Sequence, residues 1–250
     1  MSNENRYRQL VELLAERPAG RLLDIPAGAC PLRQDALRLG YDVVAVDLFP
    51  GDGFVGVRAD ACEPFPFADE SFDVVVSMEG IEHFENQTAF LRECARVLRP
   101  GGWLLLTTPN ILHLNSRVAG FLTGQRLLKQ GFVNEFATRR GRAENRTYHG
   151  HAFLIDVFRL RYLLRVVGMQ LRQVRANRLS PSSLFLAPLV PFIGLATWYT
   201  LRSGRRRLRR RSRTMPPAAV EQELSKLARN PAVLFGKGLI VVAEKEAAPQ

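Results

Sequence analysis

Short runs dense in Val, Leu and Ile alternate, along the first half of the chain, with stretches whose apolar positions recur every three or four residues. Residues 21–25 (RLLDI) and 42–47 (DVVAVD) flank PLRQDALRLG, which reads as a helix stopping at Gly40. This is a βαβ unit, and it predicts a parallel strand pair with a right-handed crossover. FDVVVSM, at 72–78, is the next strand, after which Asn86 caps a helix over TAFLRECARVL. Phe90, Leu91, Cys94, Val97 and Leu98 share one face of that helix. Arg99-Pro100-Gly101-Gly102 ends it ahead of a strand at 103–110, WLLLTTPN. Such alternation predicts an α/β fold: an open, Rossmann-like, doubly wound parallel sheet covered on both faces. Sites in these sheets lie at the carboxyl ends of strands, which selects Asp24 to Cys30, Asp47, Met78 to His83, and Pro109-Asn110.

Beyond Asn110 the pattern loosens. Residues 111–150 are rich in Arg, Gly and Asn and read as a substrate-side loop with one helix near 115–123. Asp156 caps VFRLRYLLRVV, which stops at Gly168; MQLRQVRA (169–176) alternates like a strand, and GLIVVAEKE (238–246) is the last one. The opening MSNENRYRQLVELLAERPAG mixes acids and bases through a short apolar run, which predicts an amphipathic helix and a cytoplasmic protein. The expected organisation is one domain from 1–178 and 231–246, an inserted segment at 179–230, and a tail at 247–250.

Charge changes this picture in one place. The formal net charge is +11, but residues 202–213 (RSGRRRLRRRSR) hold eight arginines and no acid, leaving +3 for everything else. The basicity is a local block rather than a nucleic-acid-binding surface spread over the molecule. The three cysteines, Cys30, Cys62 and Cys94, form no C-x-x-C pair and are expected to be reduced thiols.

Asp47 ends the second strand 19 residues after Gly28, the place from which an acidic side chain accepts hydrogen bonds from ribose hydroxyls. Asp60-Ala61 follows a short extended piece, where carboxylate and backbone could read an adenine amine. Taken in order, Asp24 with the Gly28 turn, Asp47, Asp60-Ala61, Asp73, Glu82-His83 and Arg99-Pro100-Gly101-Gly102 resemble the motif series of class I S-adenosylmethionine-dependent methyltransferases. The resemblance covers residues 20–110 closely. It implies a seven-stranded sheet whose last strand runs antiparallel, with S-adenosyl-L-methionine as cofactor. It places the cofactor against Asp24, Ala27, Gly28, Asp47, Leu48, Asp60, Ala61, Met78 and Glu79. The family's D-x-G-x-G-x-G turn is altered here: Pro26, Ala27, Gly28, Ala29 and Cys30 keep only the middle glycine. A sulfonium cofactor carries no pyrophosphate, so a phosphate-cradling run of glycines is less necessary than in a dinucleotide enzyme. The G-x-G-x-x-G fingerprint of NAD binding is absent.

Glu82, His83, His149 and His151 are the candidate catalytic residues, with Tyr148 beside them. In-line methyl transfer needs positioning, exclusion of water, and a base where the acceptor is a hydroxyl or amine. The spacing Glu79-x-x-Glu82-His83 also resembles ubiquinone-type O-methyltransferases, where such a set holds a divalent ion near the acceptor oxygen. Two carboxylates and one imidazole are a thin ligand set, so no metal is assigned. Glu82 as a turn cap and His83 as a packing residue is the competing reading.

The segment 179–201, LSPSSLFLAPLVPFIGLATWYTL, carries no charge, and the arginine block follows it. Pro188 and Pro191 are expected to interrupt it, and its strongly apolar part (184–199) is shorter than the ~20 residues a membrane span requires. Apolar insertion beside a polybasic patch predicts peripheral attachment at the inner membrane face through 184–213. Core or homodimer packing and RNA contact are the alternatives; nucleic acid is disfavoured, since no aromatics interleave the arginines. PPAAVEQELSKLARN then predicts a helix begun at Pro217. The function expected is methyl transfer to oxygen of an amphiphilic or lipid-linked acceptor. A soluble small-molecule or RNA methyltransferase, or a cofactor-binding protein without turnover, are the other readings.

Overall fold

The computed structural model describes residues 2–28, 31–51, 53–125, 139–143, 146–210 and 215–247, and of residues 2, 3 and 139–149 only the backbone. Helix α1 (Ser2–Ala15) leads into β1 (Arg21–Asp24), α2 (Arg33–Arg38), β2 (Asp42–Asp47), β3 (Val57–Arg58) and β4 (Phe72–Met78). A 3-10 turn (Ile81–His83), α3 (Gln87–Val97), β5 (Leu98–Pro109) and α4 (Leu114–Thr123) follow, then the hairpin β6 (Arg139–Ala143) and β7 (Arg146–His149). The chain continues through α5 (Val157–Val166), β8 (Met169–Leu179), α6 (Pro181–Phe185), a 3-10 turn (Ala187–Leu189) and α7 (Val190–Arg210). It closes with α8 (Ala218–Ala228), α9 (Pro231–Phe235) and β9 (Gly236–Lys245).

Seven strands form one sheet in the order β3-β2-β1-β4-β5-β9-β8. The neighbours from β3 to β5 pair in parallel, whereas β9 runs antiparallel to both β5 and β8. The last strand is therefore antiparallel, as expected, and β8 points the same way as the parallel set. The sequence order reverses between β1 and β4, and the crevice at that switch is where ligands bind in open α/β sheets.

Both faces are covered. Leu10, Leu13 and Leu14 of α1 and Ala36 of α2 pack on one side with Val74, Val76 and Leu105. Phe90, Leu91 and Cys94 of α3 and Leu160 and Leu164 of α5 pack on the other with Val75, Leu104 and Leu106. Each fully buried leucine contributes about 2 kcal/mol through removal of apolar surface from water. Burial on both faces is why β4 and β5 read as continuous apolar runs instead of alternating.

The helix caps read from the sequence are in place. The Asn86 side chain accepts from Ala89 N–H at 3.0 Å, and Asp156 Oδ1 accepts from Phe158 and Arg159 N–H, each at 3.0 Å. Some expectations need correction. Helix α2 is shorter than PLRQDALRLG, and β5 starts at Leu98, which pairs with Phe72, while Arg99 to Gly102 bulge out before Trp103 rejoins β4 at Val74. The β6–β7 hairpin was not foreseen within 111–150, since its Arg- and Gly-rich strands show no apolar alternation. Strand β8 runs on to Leu179, past Ala176. Pro191 does not interrupt the apolar segment: it is the second residue of α7, where a missing N–H leaves no helical acceptor wanting. Pro188 does break it, within the 3-10 turn. The arginine block is the continuation of α7, through Arg210 among the described residues.

Candidate active site

The turn after β1 shapes the entrance. Gly28 sits at φ +54°, with no neighbouring atom near a would-be Cβ, so glycine is required there by backbone conformation rather than by crowding. Its N–H donates to Asp47 Oδ2 at 2.8 Å, which ties the turn to the end of β2. Asp47 Oδ1 accepts from Phe49 N–H at 2.8 Å. Each of these carboxylate oxygens retains acceptor capacity toward the cleft.

Two adjoining cavities share Pro26 and Asp47 as walls. The larger, about 550 Å³, lies between Leu48, Phe49, Asp60 and Ala61 on one side and Gly80, His83, Phe84 and His151 on the other. This volume falls in the range of small-molecule sites. Asp60 is held by an Asx turn, its Oδ1 accepting from Cys62 N–H at 2.8 Å. The smaller cavity, about 360 Å³, is bounded by Arg6, Tyr7, Ala27, Gly28, Met78 and Glu79. Glu79 is in the left-handed region at φ +50°, a strained conformation for a residue with a side chain. It is held there by its N–H to Thr107 O at 3.1 Å and by an ion pair with Arg6 at 2.7 Å. A Cβ on Gly80 would stand 2.5 Å from Pro26 Cδ, so this position must be glycine for the two turns to meet.

Glu82 lies beneath the larger cavity, fully buried. Its Oε2 accepts from Thr108 Oγ1 at 3.2 Å, and its Oε1 is 3.9 Å from His151 Nε2. Burial, reinforced by the nearby Glu79 charge, pushes the Glu82 carboxyl up to about 8. The rings of His83 and His151 meet edge to face with centroids 5.0 Å apart. One ligand atom from each of Glu82, His83 and His151 lies within 4.8 Å of the others. The loop bearing His151 is fastened to the site: Phe153 N–H donates to Glu82 O at 3.1 Å, and Gln87 Nε2 donates to Phe153 O at 2.6 Å.

The sequence-selected residues thus divide. Asp47, Leu48, Asp60, Ala61, His83 and His151 converge on the larger cavity, and Ala27, Gly28, Met78 and Glu79 on the smaller. Glu82 supports the larger from below. Asp24 is fully buried under the turn and lines neither cavity. Asn110 is structural: its Nδ2 donates to Val233 O at 2.9 Å and Gly236 O at 2.7 Å, holding α9 and the start of β9. Asp73 likewise pairs with Arg99 at 2.9 Å and accepts from Arg21 N–H at 2.7 Å. Among the cysteines, Cys94 is a buried thiol pushed well up by desolvation and Cys62 is half-buried, and neither is in a disulfide. Cys30 and the side chains of Tyr148 and His149 lie outside the described residues. Sequence reasoning missed Arg6 and Tyr7, whose α1 reaches across to the second cavity; an amphipathic pattern shows which face packs, not what the other face meets.

Residues 23–106 match a protein family described as a methyltransferase domain. Over 123 residues the chain is 32% identical to a ubiquinone biosynthesis O-methyltransferase of Agrobacterium fabrum, covering 44% of this chain and 48% of that protein. A namesake from Xanthomonas oryzae is 37% identical over 103 residues, 36% of this chain and 43% of that one. The chain thus matches less than half the length of these curated relatives. Among solved structures, a SAM-dependent methyltransferase from Archaeoglobus fulgidus superposes with a TM-score of 0.54 at 15% identity, covering 96% of this chain and 91% of that chain. An S-adenosylmethionine-dependent methyltransferase from Mesorhizobium loti gives 0.50 at 13% identity, over 95% and 96%. These likenesses show the same fold. Residues 23–106 thus match a methyltransferase domain, and the strand order places them in a fold shared with these S-adenosylmethionine-dependent methyltransferases.

Proposed function

We propose that the protein transfers a methyl group from S-adenosyl-L-methionine to a hydroxyl oxygen of an amphiphilic or lipid-linked acceptor at the cytoplasmic membrane surface. The observation that carries this reading is the pair of cavities meeting at Asp47, with one wall suited to a nucleoside and the other to an amino acid. Asp47 would take the ribose hydroxyls, Asp60-Ala61 the adenine edge, and Leu48 and Phe49 the ring face. Gly28, Glu79 and Arg6 would hold the methionine end. The cofactor, when bound, supplies an electrophilic methyl carried on a sulfonium.

This chain's own residues supply the rest. His83 and His151 face the larger cavity, so an imidazole there can take the proton of an acceptor hydroxyl. His151 is the better placed base, because an imidazolium on its ring would form 3.9 Å from the Glu82 carboxyl. The Glu82 proton would leave to bulk water through the open cavity as that cation forms, and the carboxylate left behind would stabilise the imidazolium. Phe84 gives the cavity a buried apolar wall, with the half-exposed Phe49 at its edge. The O-methyltransferase names of the relatives favour oxygen as the atom methylated.

The test is incubation of the purified protein with methyl-labelled cofactor and a lipid extract, followed by partition of the product. Label in the organic phase, diminished at least tenfold by His151→Ala, supports the reading. Cofactor binding without label in any phase would leave a binding protein instead.

A further inference from the structure

Helices α4 and α6 meet at the end of the sheet where the site lies, and α7 follows them through the 3-10 turn; each carries exposed apolar side chains. Strands β5 and β8 both run antiparallel to β9, so α4 and α6 leave the sheet from its carboxyl end. His113 at the start of α4 and Ser183 of α6 join them, Nδ1 to Oγ, at 3.0 Å. From this platform Phe121 and Phe185 project with 89% and 85% of their surface exposed. Phe192, Leu195, Trp198 and Tyr199 of α7 are 56% to 69% exposed.

The two faces of α7 differ. Ile193, Thr197, Leu201 and Leu208 are partly buried on the side that carries Gly194 and Gly204. Phe192, Leu195 and Tyr199 fall on the opposite stripe, and Arg202 and Arg206 continue it along the same helix. Trp198 and Tyr199 stand at the junction, and the Arg202 guanidinium lies 5.5 Å from the Trp198 ring. Of Arg205, Arg206, Arg207, Arg209 and Arg210, Arg205 alone meets a carboxylate among the described residues, that of Glu221. Apolar side chains, then an aromatic belt, then uncompensated cations is the order met on crossing from acyl chains to anionic headgroups. No described helix is long and apolar enough to cross a membrane, so α7 would enter the interface obliquely, with its Phe192 end deeper than its arginines.

We infer that the α4–α6–α7 face docks on an anionic lipid bilayer and turns the carboxyl end of the sheet, with the cavities, toward it. This deepens and rests on the proposed membrane-surface acceptor: a lipid-linked hydroxyl reaches the site without leaving its leaflet. Charge complementarity selects the bilayer over a second copy, since two such faces would bring their arginines into mutual repulsion.

Cosedimentation with vesicles tests it, using phosphatidylcholine with and without phosphatidylglycerol. The full chain is expected to pellet with the anionic vesicles and about tenfold less with neutral ones. The triple variant Phe192→Ser/Leu195→Ser/Trp198→Ser and the quadruple variant Arg206→Ser/Arg207→Ser/Arg209→Ser/Arg210→Ser should each lose at least tenfold in partition. Both should keep the helical circular dichroism and the S-adenosylhomocysteine affinity of the wild type, because none of these residues touches the cavities. Undiminished vesicle binding by both variants would overturn the inference. So would a wild type that ignores vesicles, whether it shifts a single-stranded RNA homopolymer instead or is a dimer that the triple variant splits. Loss of cofactor affinity in the wild type, with vesicle binding intact, would count against the methyltransferase reading and leave the docking face standing.

Discussion

Replacing Glu82 by Gln tests how this site stores its charge. The carboxyl is fully buried, one oxygen accepts from Thr108, and the other faces His151. Desolvation, with Glu79 adding to it, lifts its pKa from 4.5 to about 8. A group whose folded-state pKa is raised keeps its proton in the native state while the unfolded chain releases it. Native stability therefore falls as pH rises from about 4.5 to about 8. At about 1.4 kcal/mol per pH unit the full loss is roughly 5 kcal/mol; water entry and side-chain relaxation reduce the expected loss to about 3 kcal/mol. Glutamine keeps the volume and a hydrogen-bonding oxygen and cannot ionise. Urea unfolding measured between pH 5 and 9 should show that loss in the wild type and a flat profile in Glu82→Gln, with the variant the more stable at the alkaline end. The same slope in both proteins would refute the buried, protonated carboxyl. Methyl transfer by the variant should fall at least tenfold, since an amide cannot ionise beside the imidazolium.

Other perturbations follow from single contacts. His113 is held neutral, its pKa lowered to about 4 by burial and by Lys237, so stability should fall as pH drops from about 6.5 to about 4. His113→Gln should remove that acid sensitivity in the same unfolding assay, and an unchanged acid limb would contradict the assignment. Gly80→Ala pushes a methyl to 2.5 Å from the Pro26 ring, which must move the turn that carries Gly28. Cofactor affinity should weaken about tenfold, and a titration equal to the wild type would show the turn to be pliant. Asn110→Ala leaves carbonyls of Val233 and Gly236 without their donor, costing about 2 to 3 kcal/mol by urea unfolding. A change below about 0.5 kcal/mol would mean water replaces the amide.

The parallel half of the sheet was legible because strands buried on both faces announce themselves as unbroken Val and Leu runs, and helices α3 and α5 carry side-chain caps. Asp47, Gly28 and Asp60 were legible because spacing from a strand end is a local property. What local patterns could not show was which partners long-range folding supplies. Asp24 looked like a site acid and is buried beneath the turn; Asn110 looked like a strand-end site residue and instead fastens α9. Arg6 joins the site only because α1 packs against the sheet and reaches Glu79. The Glu82–His151 approach spans 69 residues and carries no signature in either segment. Pro191 was misjudged for a simple reason: a proline disrupts a helix only where its N–H is wanted, and the first turn wants none.

The measurement that bears most directly on the account is calorimetric titration of S-adenosylhomocysteine into the wild type and Asp47→Ala. Asp47 lines both cavities and accepts the Gly28 N–H of the turn. The account predicts one site per chain in the wild type and an affinity lower by about 1 to 3 kcal/mol in the variant, through loss of charge-assisted hydrogen bonds to the ribose. Equal affinity in the two proteins, or no binding to the folded wild type, would contradict it.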